Sequence, residues 1–118
     1  MNNFFNNIYE KALSQNNPYF KSFVENKATK EQLEYIEIAT GILSFCSMSL
    51  AMDYTDDEHL SLITEAIIEL NDDEFVNKLR AVETFEDYKN IAIPDNDVLE
   101  RYISDGQNGS GKGFLFAE

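Results

Sequence analysis

The chain has 118 residues, 43% of them apolar, and its 22 acidic side chains outnumber 9 basic ones to give a formal net charge of −13. That length makes one domain with a real core, and that apolar fraction excludes a chain disordered throughout. Such a charge sets aside nucleic acid and anionic membrane surfaces as partners and favours a basic protein.

Residues 3–15 carry Phe4, Phe5, Ile8, Tyr9, Ala12 and Leu13 at helical spacing, which predicts a first amphipathic helix. Asn17 before Pro18 reads as an N-cap followed by proline at a first helical position. The second helix then runs over 18–26, with Tyr19, Phe20, Phe23 and Val24 on its apolar side. The first residues of the chain, MNNFFNNIYEK, lack the basic start and continuous apolar run of a secretory signal, which points to the cytoplasm.

The chain is organised around residues 29–52. Thr29 with Gln32 gives a capping-box pattern. From Ile38 to Met52 no side chain is charged, and Leu33, Ile36, Leu43, Phe45, Met48, Leu50 and Met52 put apolar groups on nearly every side. A helix that is apolar all round must be covered all round, so this segment is predicted to be a buried central helix. Its uncharged part spans roughly 22 Å at about 1.5 Å per residue, short of a hydrocarbon core of about 30 Å, which argues against a membrane span. Cys46, the one cysteine, cannot make an internal disulfide and is expected to act as a small buried hydrophobe.

Thr55 with Glu58 opens a fourth helix to Leu70, and Asn71-Asp72-Asp73-Glu74 repeats the start signal for a fifth. Phe75, Val76, Leu79 and Val82 form its apolar side. Thr84 with Asp87 predicts a short sixth helix carrying Phe85, Tyr88 and Ile91. Pro94 breaks the chain, Asp95 is expected to cap a last helix with Val98, Leu99, Tyr102 and Ile103, and Gly106 to end it. The expected fold is an all-α single-domain bundle of six or seven short helices over 1–105. A glycine-rich tail over 106–118 follows, with Phe114, Leu115 and Phe116 too apolar for a free end and expected to dock.

No stretch carries a complete chemical motif. Gly106 to Gly113 resembles a phosphate-binding loop, but Gly113 stands where Ser or Thr should bind magnesium, and no room remains for the required helix. His59 is the one histidine and reads as a surface or boundary residue beside Glu58. Asp53, Asp56, Asp57 and Glu58 lack the spacing of a calcium loop, as do Asp95 and Asp97. A carboxylate pair brought together by the fold is the remaining route to an enzyme. The residues therefore indicate no catalytic set, no cofactor and no metal.

The placement of charge is the informative feature. Between Lys30 and Lys78 there are twelve acids and no lysine or arginine, so this block carries −12; the other ten acids and the nine lysines and arginines give −1. Capping and helix-dipole effects account for Asp56 to Glu58 and Asp72 to Glu74. They do not account for helix four, where Glu58, Leu62, Glu65, Glu69 and Asp72 fall within about 40° of the line opposite the apolar side. No lysine follows Glu65 or Glu69 at i+4. The predicted partner-binding surface is thus Asp53, Asp56, Asp57, Glu58, Leu62, Glu65, Glu69, Asp72, Asp73 and Glu74, with Leu62 as an exposed apolar anchor.

In size, acidity, helical content and lack of a catalytic set, the whole chain resembles the small acidic immunity proteins of bacterial polymorphic or contact-dependent toxin systems. The resemblance is one of general character, so no residue is carried over. It implies a cytoplasmic, non-catalytic inhibitor that covers a basic, nuclease-like toxin by charge complementarity. The alternative is a helical adaptor or regulatory subunit, with Phe4, Phe5 and Phe114 to Phe116 forming an oligomer seam.

Overall fold

Capped starts, a proline at a first turn and apolar stripes at helical spacing divide the chain into helices. The computed structural model describes residues 4–14, 18–26, 30–46 and 56–108. Among them lie seven helices and no strand: α1 (Phe4–Ser14), α2 (Pro18–Asn26), α3 (Lys30–Ser44), α4 (Asp56–Leu70), α5 (Asp73–Arg80), α6 (Phe85–Lys89) and α7 (Asp97–Gln107). The protein is an all-α single domain. The expected tail contacts of Phe114, Leu115 and Phe116 lie outside the described residues.

The core forms where the sequence is least polar. Residues 38–46 are buried without a break, and α4 is the chief partner of α3. α1 covers α3, α2 packs on α4, and α7 touches both members of the central pair. Each covering helix brings a narrower apolar stripe: Tyr9 from α1, Phe23 from α2, Leu60, Ile63 and Ile67 from α4, and Leu99, Tyr102 and Ile103 from α7. This division between one helix whose C-terminal half is buried all round and several buried on one side is what apolar patterning dictates.

The central helix is shorter than its composition predicts. It stops at Ser44 where Met52 was expected, and 47–55 lie outside the described residues. The last turn tightens, with Phe45 N–H donating to Ile42 O (3.3 Å) and Cys46 N–H to Leu43 O (3.0 Å). Thr40 Oγ1 donates to Ile36 O and Ser44 Oγ to Gly41 O, each at 2.7 Å. Hydroxyl groups that bond back to the ladder weaken and bend it, and this segment is rich in them.

Two helix starts sit one residue later than the sequence signal. Asn71 adopts φ 49, the left-handed conformation that closes a helix, so it ends α4 and does not begin α5. Asp72 is the N-cap of α5, its Oδ1 accepting from Phe75 N–H at 3.1 Å. Asn96, not Asp95, caps α7, accepting from Leu99 N–H at 3.0 Å. The Thr84 capping box is as predicted, with Asp87 N–H donating to Thr84 Oγ1 and Thr84 N–H to Asp87 Oδ2, each at 3.2 Å. The free end of five-residue α6 is held by Gln107, whose Nε2 donates to Tyr88 O (2.9 Å) and Ile91 O (2.8 Å).

Gly106 does not end α7 but lies buried inside it. A Cβ placed there would stand 3.1 Å from Phe45 Cβ and 3.4 Å from Tyr88 Cε2. Glycine is therefore used to let α7 approach the end of α3, where Phe45 stacks at 4.8 Å on Tyr88 and 5.0 Å on Phe85. His59 also departs from expectation. It is wholly buried, not at the boundary, and its Nδ1 shares a 2.7 Å hydrogen bond with the Tyr102 hydroxyl. The phase of α4 explains this: position 59 lies on the flank of the helix that α7 covers.

Two substitutions test this packing. Gly106→Ala should fail to gain the roughly 1 kcal/mol that alanine normally brings to a helix, and Gly106→Val should destabilise by about 2 kcal/mol, read by urea unfolding. Tyr102→Phe keeps the volume and removes the hydroxyl from His59, and should lower stability by about 1–2 kcal/mol in the same assay.

Candidate protein-binding surface

The candidate surface begins with the helical phase of α4. His59, Leu60, Ile63, Thr64, Ala66 and Ile67 are buried, which turns Glu58, Glu65, Ile68 and Glu69 outward. Glu65 and Glu69 are one turn apart on this face. Like charges at that spacing repel by a few tenths of a kcal/mol, and an acid near a helix C-terminus meets the negative end of the dipole. No basic residue stands in the last turn of α4.

The expected apolar anchor is corrected. Leu62 is half-buried and does not stand exposed among the acids. Ile68, 45% exposed, is the apolar residue that stands out. At 100° per residue, Leu62 and Ile68 lie about 60° to either side of Glu65, and the flank carrying Leu62 is the one turned toward the body. Helical phase alone does not separate the two; the packing of the covering helices does.

The other predicted residues separate into groups. Asp56 and Asp57 lie in the first turn of α4, and Asp53 lies outside the described residues. Asp72 does not continue the outer line of α4, because the turn at Asn71 carries it to the start of α5 as an N-cap. Asp73 and Glu74 are exposed in the first turn of α5, where the dipole favours them. Glu74 also meets Lys78 at 3.3 Å. Local structure thus accounts for Asp72, Asp73 and Glu74 without a partner.

Cations from beyond the acidic block reach some of its members and not others. Arg80 Nη2 meets Glu34 Oε1 at 2.9 Å, and Lys89 meets Glu86 at 3.9 Å outside the block. Glu65 and Glu69 join no ion pair among the described residues. These exposed pairs add little stability individually, but they show where charge is balanced and where it is left.

Burial, with a smaller push from Asp105, raises the Cys46 thiol far above its usual range, so it stays protonated and donates to Tyr102 O at 3.2 Å. Burial likewise raises the Tyr88 phenol. Among the described residues no three His, Cys, Asp or Glu side chains are placed to hold a metal. No helix among them is long and apolar enough to cross a membrane.

The Glu37 carboxyl is raised above its ordinary range: partial burial is the main cause, Glu34 and Glu10 add to it, and Arg80 opposes it. Tyr9 is raised by burial and by Glu37 and Glu10. A carboxyl whose folded pKa exceeds its ordinary 4.5 stabilises the fold below that pH, and the contribution is lost as pH rises through the raised value. Glu37→Gln should therefore raise the thermal midpoint at neutral pH and give no gain below the ordinary value, as scanning calorimetry at the two pH values would show. No family model, no curated protein and no solved structure matches this chain.

Proposed function

We propose that this protein is a non-catalytic inhibitor of the immunity type, which binds and covers a basic, nuclease-like toxin domain in the cytoplasm. The observation that carries the reading is the outer face of α4. There Glu65 and Glu69 stand beside exposed Ile68 and form no ion pair among the described residues, although neither capping nor the helix dipole favours them. A surface kept acidic against its own local stability is suited to meeting positive charge. Complementary potential speeds encounter and selects the partner, while an apolar residue among the charges supplies contact that survives screening.

Charge complementarity also suits a nuclease as target. An enzyme that binds phosphate presents a basic cleft, and an acidic protein seated there denies it substrate. The inhibitor needs no reactive group, consistent with the protonated thiol of Cys46 and the buried imidazole of His59.

The test uses the tagged full chain, wild type and Glu65→Lys/Glu69→Lys, on lysate of the source organism. Asp72 is left alone because it caps α5. The expected result is a captured basic protein whose purified nuclease activity is suppressed by wild type. Its affinity should fall steeply between about 0.01 M and 0.15 M salt, and by about tenfold or more in the double variant. Capture that ignores both salt and the charge reversal would overturn the reading and favour an adaptor using apolar contacts.

A further inference from the structure

We draw no further inference here: the strongest candidate, the carboxylate cluster of Glu10, Glu34 and Glu37 where α1 packs on α3, is an acidic cluster whose Glu34 already pairs with Arg80, and nothing in the structure shows a ligand at it.

Discussion

The whole structure depends on burying the C-terminal half of α3 from every direction. Nine consecutive residues, 38–46, are out of solvent, and no single neighbour can cover them. That demand recruits α1, α4 and α7 and fixes which side of each faces inward. It also explains two features that look unrelated. Gly106 gives up helix propensity so that α7 can close on Phe45, and His59 gives up solvent for a hydrogen bond to Tyr102. Both belong to the same closure of α7 over the central pair.

The inward demand decides what is left outside. Once Leu60, Ile63 and Ile67 of α4 point to the core, Glu65, Ile68 and Glu69 must point away. The block 31–77 contains no lysine or arginine, so any balancing charge must come from elsewhere in the fold. α5 supplies two such cations, and both are spent nearby: Lys78 on Glu74 and Arg80 on Glu34. Asp72, Asp73 and Glu74 serve as the cap and first turn of α5, whereas Glu65 and Glu69 on the face of α4 have no such local role.

Helical periodicity and capping chemistry are strong local signals, and the sequence carried them clearly. The order of the seven helices among the described residues, the Thr84–Asp87 box and the inward faces of α5 and α7 followed from them. What was not legible depends on contact between distant segments. Gly106 looks like a helix stop until Phe45 is seen against it, and His59 looks like a boundary residue until Tyr102 arrives from 43 residues away. The early stop of α3 is intermediate: its hydroxyl-rich end was visible, but an apolar run hides a change of backbone from any count of hydrophobicity. Glu65 and Glu69 stand exposed as the helical phase predicts, whereas Leu62 is half-buried and Ile68 exposed, because covering helices, not phase alone, decide which flank is hidden.

A binding surface also has to be held still, since ordering loose groups on association costs free energy. The outer face of α4 meets that condition. Its inner side is packed on α3, one flank is tied to α7 through His59 and Tyr102, and its end is fixed by the left-handed turn at Asn71 and the Asp72 cap of α5. Repulsion between Glu65 and Glu69 is a few tenths of a kcal/mol, small beside the burial of Leu60, Ile63 and Ile67 at about 1.5–3 kcal/mol each. The helix can therefore carry uncompensated charge without fraying. A loop bearing the same acids would relax them apart, and the rigidity of α4 is what turns a local electrostatic penalty into a preorganised surface.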